Sequence, residues 1–595
     1  MPVRPWIAGI FALLCLSAPV RPAAAAPWSA FKGVPVSDVR VEGAPKDLAE
    51  AMKKGLELRG DPGLLRTARA TFFPETLGED LARCRLFLAR HGYPDATVEP
   101  EIVAADRDRA VRVTFVVTTG PAVRLGELRA PGLPEGFPLP ELALTPGDRL
   151  VDADTRDAGA RLEDALKEAG HARARVTVSV ERREGSRADV TLESVPGPVC
   201  TFDSVRVEGA PPDLEPLVRD VLDVEPGDRY SPRKLRQADV GLRELDLFRL
   251  IRIRTEPVGD TGLVLICELT ERQPRTLTLG VGYLSDEQVR VEAEWRHRNQ
   301  FHAGRGARLG GRASLFLQTL RADVTWPRFL GTRTRGTAGA SMRREDEDAY
   351  RLLDLRLDFT ASRGLTRNTR GNAGVAVSWI DVEVRTSDPD LDDPVGLVTS
   401  FPLSWIRDTS DDLFSPSRGT VTRVDVDVAP PGLGSVAEYA RTEARVSLYR
   451  PLPGSAVIAA RILGGVARPL GDSPNVLAGR RMFAGGSRSM RGYGRRRLGP
   501  KDADGEPLGG EAKVEVSTEL RFPIIGRVAG AAFLDGAQAW ERRGSARLTD
   551  LEWAAGPALM IRSPVGPLRL DWGLLLDPVE GEPKSVVHFS VGHPY

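Results

Sequence analysis

The sequence predicts an antiparallel β-barrel that spans a membrane, preceded by three copies of one small α/β domain and by an export signal. Three observations carry this expectation. The chain opens on a short apolar run, one segment returns at three positions, and helical spacing gives way to strict alternation near residue 275.

Arg4 supplies positive charge, residues 7–16 form the apolar run, and small residues at 23–26 precede Pro27. The run is too short to span a bilayer, and the whole reads as a secretory signal. Proline directly after a scissile bond is unfavourable, so cleavage is expected after Ala25, giving a signal over 1–25. The bulky Leu14 ahead of Cys15 argues against lipid modification. Beyond the signal no stretch of about 18 apolar residues predicts a transmembrane helix. At 595 residues the chain exceeds a single core. Its 82 Lys+Arg against 82 Asp+Glu lack the basic excess of a nucleic-acid binder. Cys84, Cys200 and Cys267 follow the signal, an odd count without the spacing of a disulfide framework or a zinc motif. They are expected as small buried apolar residues. Cys200 and Cys267 share one expected domain, which leaves a bond between them open in an oxidising compartment.

The repeat sets the architecture of the first half. Arg40-Val-Glu-Gly-Ala-Pro-Lys-Asp-Leu48 returns as Arg206-Val-Glu-Gly-Ala-Pro-Pro-Asp-Leu214, with a degraded copy at Leu128-Arg-Ala-Pro-Gly-Leu-Pro134. Gly43, Gly132 and Gly209 are 89 and 77 residues apart, and Pro146-Gly-Asp-Arg149 returns as Pro226-Gly-Asp-Arg229. Such a period means three tandem copies of one domain. Each copy is expected to run β-α-α-β-β. Thr76-x-x-Glu79 reads as a capping box and Ser231-Pro232 as a helix start. Leu77, Leu81, Cys84 and Leu88 share one helical face, as do Leu235, Ala238, Leu242 and Leu245. The expected boundaries are 34–119, 120–197 and 198–274.

From 275 onward period two takes over. Ala512, Val514, Val516, Thr518, Leu520 and Phe522 alternate with Lys513, Glu515, Ser517, Glu519 and Arg521. Leu568, Leu570, Trp572 and Leu574 alternate with Arg569 and Asp571. A soluble sandwich alternates too. Long strands, export and an aromatic C-terminus favour a membrane barrel, and about 20 residues per strand and turn over 275–595 gives roughly 16 strands.

The stretch Phe483-Ala-Gly-Gly-Ser-Arg-Ser-Met-Arg-Gly-Tyr-Gly494 resembles the signature of the outer-membrane assembly-factor family that includes BamA and TamA. Glu519-Leu-Arg-Phe-Pro523, Phe533-Leu-Asp-Gly-Ala-Gln-Ala-Trp540, Gly566-Pro-Leu-Arg-Leu-Asp571 and Phe589-Ser-Val-Gly-His-Pro-Tyr595 resemble its later strands. Asn299-x-Phe301-x-x-Gly304 and Pro327-Arg-Phe-Leu-Gly331 resemble its early ones. The repeats resemble the family's POTRA domains, the third ending in Leu242-Arg-Glu-Leu-Asp-Leu-Phe248; three of them match TamA-like members best.

The resemblance implies a location in the bacterial outer membrane, with the POTRA-like domains in the periplasm. It implies insertion or translocation of client proteins there, without a cofactor. Arg491, Gly492 and Tyr493 would form a loop motif folded into the barrel, Arg491 meeting the lumen carboxylates Glu519 and Asp535. A pair of this kind in a wet lumen is worth about 1 kcal/mol. The alternative makes Arg491 one more solvated arginine among Arg488, Arg495, Arg496 and Arg497. A seam between first and last strands would be the gate, with Gly280 and Gly282 on one side and Gly592 and Pro594 on the other. Phe589, Val591 and Tyr595 would form a C-terminal signal. Partners implied are the lipid bilayer, clients, and a TamB-like inner-membrane protein or assembly lipoproteins. Two other functions compete. A dedicated two-partner secretion pore usually carries two such domains and a plug helix, neither of which fits here. An enzyme would need a nucleophile elbow or zinc spacing, and the six histidines offer none.

Overall fold

The computed structural model describes residues 27–59, 70–105, 109–386, 394–563, 566–578 and 582–591. The expected signal over 1–25, and Gly592, Pro594 and Tyr595, lie outside the described residues.

Three small units come first. One holds β1 (Val36–Glu42), α1 (Lys46–Lys54), α2 (Pro74–Arg90), β2 (Thr97–Ala105) and β3 (Ala110–Thr118). The next holds β4 (Arg124–Arg129), α3 (Asp152–Glu168), β5 (Arg175–Arg183) and β6 (Arg187–Val195). Last is β7 (Thr201–Glu208), α4 (Glu215–Leu222), α5 (Pro232–Glu244), β8 (Phe248–Val258) and β9 (Gly262–Glu271). Each unit forms a three-stranded sheet whose first strand runs parallel to a central third strand and whose second strand is antiparallel to it. Helices cover one face of each sheet, burying Leu77, Cys84 and Leu88 in the first unit and Ala238 and Leu242 in the third.

Local details depart from the sequence expectation. The middle unit has one helix rather than two, because Pro131, Pro134, Pro138, Pro140 and Pro146 fall where the other would form. Each removes a backbone donor and crowds a helical turn. Thr76 is not a cap. α2 starts at Pro74, and its N-cap residue Phe73 offers no side-chain bond. Ser231 does cap α5, its hydroxyl accepting from the Lys234 N–H at 3.4 Å. Cys200 and Cys267 are both free and buried, and they belong to different apolar clusters.

The repeated motifs acquire a physical reason. Gly43, Gly132 and Gly209 all have φ near +80°, and a Cβ on each would lie 2.1–2.2 Å from the carbonyl oxygen of Val117, Ser194 and Leu269 respectively. No other residue both adopts that backbone and permits that approach. The repeated arginines grip the preceding unit. Arg149 bonds Asp47 at 2.7 Å and lies over the Tyr93 ring, and Arg229 donates to the Ala169 carbonyl. At each joint an N–H also meets the preceding helix end: Val123 to Gly92 O at 2.8 Å, Cys200 to Gly170 O at 2.9 Å, and Arg272 to Leu247 O at 2.8 Å. The third unit docks on the barrel in the same manner. Arg335 donates to Glu244 O at 2.5 Å, Arg298 to Asp246 at 3.0 Å, and Asn299 to Asp213 at 2.7 Å.

Sixteen strands then close into one antiparallel barrel. They begin with β10 (Arg275–Leu284), β11 (Gln288–His297), β12 (Gly306–Ala313), β13 (Leu317–Trp326) and β14 (Arg335–Asp346). The longest follow: β15 (Tyr350–Thr366), β16 (Thr369–Val384) and β17 (Val395–Asp408). Next come β18 (Gly419–Ala429), β19 (Tyr439–Pro451), β20 (Val457–Pro469) and β21 (Ala512–Ile525). The wall ends with β22 (Val528–Trp540), β23 (Glu552–Ser563), β24 (Gly566–Leu575) and β25 (Ser585–Val591). Side chains of period two separate cleanly. Leu279, Val291, Leu309, Leu357, Val377, Leu403, Ile462 and Leu570 lie exposed on the outside, with Trp379, Trp405, Trp553 and Trp572 among them. Arg308, Asp323, Arg321 and Asp358 pair on the inside.

Burial pushes the thiols of Cys84 and Cys267 up to about 12. Since the thiolate is the reactive form, native protein at pH 8 is expected to leave both unalkylated by iodoacetamide, with labelling only after unfolding in urea. Mass spectrometry reads the result; rapid native labelling would contradict the packing.

Candidate functional site

The connection from β20 to β21, residues 470–511, turns back into the barrel rather than out into solvent. Ser489 N–H to Gly486 O at 3.1 Å and Tyr493 N–H to Met490 O at 3.2 Å fold its tip. Met490 and Tyr493 bury against Ala537, Ala539, Ala554 and Leu575. Those small wall residues leave the room. Gly492 faces Ala554 and Leu575, which a Cβ would approach to about 2.5 Å. Opposite, a Cβ on Gly573 would stand 2.1 Å from the Arg491 carbonyl oxygen, so the loop backbone rests directly on β24.

Arg491 sits at the tip, 6% exposed. Its Nε and Nη2 form a fork on Asp535, both at 2.7 Å. Nη1 donates to Glu519 at 2.8 Å and Asp571 at 3.1 Å, and Nη2 also to Ser517 at 3.3 Å. All five guanidinium N–H groups are thereby used. The Phe533 ring lies 3.5 Å from the guanidinium carbon. Arg569 and Arg521 complete the charge balance, bonding Glu519 at 2.6 and 2.7 Å. Three arginines meet three carboxylates.

Arg491 therefore meets both carboxylates expected from the sequence. The expectation that the pair is partly solvated is wrong: Glu519 is 6% and Asp535 0% exposed. The loop excludes the water that would have screened them. Its neighbours are engaged as well, Arg495 with Glu347 at 2.6 Å and Arg496 with the Tyr350 hydroxyl at 2.7 Å, while Arg488 stays exposed. Tyr493 hydrogen-bonds Glu552. Sequence reasoning missed Asp571, although it alternates in phase with Arg569. It also missed Ser517, Phe533 and His588; only strand parity could have flagged them. For Gly573 there was no signal at all. Among the described residues no cluster of three or more His, Cys, Asp or Glu is placed to hold a metal, and the three carboxylates here are taken up by arginine.

The other expected site lies a few residues away. β10 pairs with β25 only at Tyr283↔Val591 and Leu284↔Ser590 among the described residues. With β11 it pairs along its whole length, from Arg275↔His297 to Leu284↔Gln288. Leu277, Leu279 and Val281 on this edge are 65%, 72% and 79% exposed. Gly282 lies against the Val591 carbonyl, at 3.3 Å from a Cβ position, and Gly280 faces Glu292. Phe589 points outward, its ring centroid 6.0 Å from that of Tyr283 across the junction.

A closed barrel with an apolar exterior, POTRA-like units docked at one end and a loop arginine seated in the lumen defines an outer-membrane β-barrel with periplasmic domains. Residues 302–595 match the Omp85 superfamily domain. The chain is 24% identical over 594 residues to the outer membrane protein assembly factor BamA of Nitratidesulfovibrio vulgaris, covering 94% of this chain and 73% of that one. Identity is 22% over 626 residues to BamA of Neisseria meningitidis serogroup B, with 93% and 77% covered. The fold matches the crystal structure of BamA from Haemophilus ducreyi lacking POTRA domains 1–3, with TM-score 0.61, 19% identity, and 79% and 99% covered. The barrel thus matches the Omp85 superfamily domain, and the chain is similar over most of its length to outer membrane protein assembly factors named BamA.

Removing one partner from a buried ion network costs about 3–5 kcal/mol. Arg491→Ala is expected to lower the barrel's unfolding midpoint, followed as the heat-dependent shift in gel mobility. Arg491→Lys should not rescue it, because an ammonium cannot serve five converging acceptors. Gly573→Ala should act in the same direction without touching a charge. Unchanged midpoints in all three would contradict the seating of the loop.

Proposed function

We propose that this protein inserts other proteins into the outer membrane by opening the β10–β25 junction and offering the edge of β10 to an incoming strand. The observation that carries this reading is the pairing at that junction: among the described residues β10 meets β25 at two residue pairs, while every other junction of the barrel shows seven or more. An edge facing hydrocarbon leaves N–H and C=O groups without partners, and a client strand satisfies them. Gly280 and Gly282 serve the gate by leaving the β10 edge with little side chain to pack. Gly592 and Pro594 complete it from the other side, and Phe589, Val591 and Tyr595 form the C-terminal signal. The two relatives are named as outer membrane protein assembly factors, in keeping with this reading.

In this account Arg491, Gly492 and Tyr493 anchor the loop, with Glu519 and Asp535 as its partners. The units at 34–119, 120–197 and 198–274 lie in the periplasm ahead of a barrel over 275–595. β2, β5 and β8 are the outer antiparallel strands of their sheets. Such edges suit strand addition by clients, by assembly lipoproteins or by a TamB-like inner-membrane partner. The role is non-catalytic. A dedicated secretion pore is less well supported, since the loop at 470–511 occupies the lumen that cargo would traverse.

Cysteines at Leu284 and Ser590, which face each other across the junction, test the reading. Oxidised protein in liposomes is expected to lose insertion of an unfolded outer-membrane client and to regain it on reduction. Full insertion by the oxidised form would overturn lateral opening.

A further inference from the structure

His588 is the one histidine buried inside the barrel wall among the described residues, 2% exposed. It lies on β25 directly opposite Asp571 of β24, the carboxylate that binds Arg491. Its Nε2 is 3.1 Å from the Arg491 carbonyl oxygen. A carbonyl only accepts, so this nitrogen donates. The other edge of the ring faces the residues that follow β10: Nδ1 is 3.2 Å from Ser285 Oγ and 3.2 Å from Asp286 Oδ1. Asp286 in turn accepts the Ser487 N–H at 2.6 Å through its second oxygen. The last strand, the turn after the first strand and the inward loop thus meet at one point. Beside it lie the two register pairs of the junction and the Ser285 N–H to Phe589 O bond at 2.9 Å.

We propose that His588 and Asp286 are positioning residues that couple the seating of the loop at 470–511 to closure of the β10–β25 junction. Each of them spends one side on the loop and the other on the junction. If the loop withdraws, the Arg491 carbonyl and the Ser487 N–H leave together, and each residue is left with one buried polar atom, His588 Nε2 and Asp286 Oδ2, lacking its partner. That state is costly, and opening the junction relieves it by admitting water. Opening in turn parts His588 from Ser285 and Asp286 and loosens the loop. A coupling of this kind is reciprocal. The network is short enough to rest on contacts that are all within 3.2 Å. The proposal builds on the reading that the junction opens, and its test reads the junction itself rather than client insertion.

The test uses full-length protein in lipid nanodiscs, with nitroxide labels at the outward-facing Leu279 and Val587 on either side of the junction. A second pair at Leu357 and Val377, which face each other across the fully paired β15–β16, reports on the barrel as a whole. Pulsed electron resonance gives the distance distributions. Arg491→Ala, His588→Ala and Asp286→Asn are each expected to broaden the junction distribution toward longer distances and to leave the control pair unchanged. Arg491→Ala combined with His588→Ala should be no broader than Arg491→Ala alone, because both act through one link. An unaltered junction in His588→Ala and Asp286→Asn, or effects that add, would overturn the coupling. If His588→Ala disturbs the control pair, Asp286→Asn, which keeps the side-chain shape, decides between these outcomes. Client insertion is measured on the same samples. A junction that responds as stated in a protein that inserts nothing would keep the coupling and remove the insertion reading.

Discussion

In hydrocarbon a backbone N–H or C=O has no water to turn to, so a barrel is sealed only as well as its last strand pairs with its first. Everything else in this molecule is arranged around that one junction. Fifteen junctions are paired along most of their length, while β10 and β25 share two pairs among the described residues, beside the loop end of the barrel. β10 begins where the third unit docks, at Arg275, and its described pairs with β25 lie at its far end, at Tyr283 and Leu284. Periplasmic units and membrane edge are therefore continuous in the chain, and Arg272 itself is bonded to the Leu247 carbonyl at the end of that unit.

The strands beside this junction are supported from inside. The loop at 470–511 places Arg491 among Asp535, Glu519 and Asp571, on three adjacent or near-adjacent strands next to the junction. Burying Arg491 with three carboxylates is costly, and apolar packing of equal volume would often be as stable. What the polar arrangement provides is a defined position: five donors in a rigid fork have one orientation that satisfies them all. Gly573 and Gly492 allow the backbone to come close enough, and Met490 and Tyr493 fill the space around it. The loop is thereby held as a strut against the strands beside the junction.

Much of this was legible in the residues. Alternation through Lys513, Glu515, Ser517, Glu519 and Arg521 gives the wall strand and its lumen face, because the period of a strand is two and the solvents on either side differ. The three repeated glycines mark the three units, since a positive φ beside a carbonyl tolerates nothing else. The second unit's missing helix was equally readable from its prolines, but the repeat masked it. Burial of Arg491 was not legible. Strand parity says which way Glu519 points but not that a 42-residue connection returns to cover it, and solvation of the pair was therefore overestimated. His588 and Asp286 lie 302 positions apart in sequence, and only closure of the barrel brings them together.

Hydrogen–deuterium exchange of the β10 amides in nanodiscs addresses the central claim most directly. The account requires residues 275–282 to exchange much faster than β11 to β24, and to become protected when a peptide copying the last strand of an outer-membrane client is added. If β10 exchanges as slowly as its neighbours, or if the peptide leaves its exchange unchanged, the junction is not an edge that accepts a client strand.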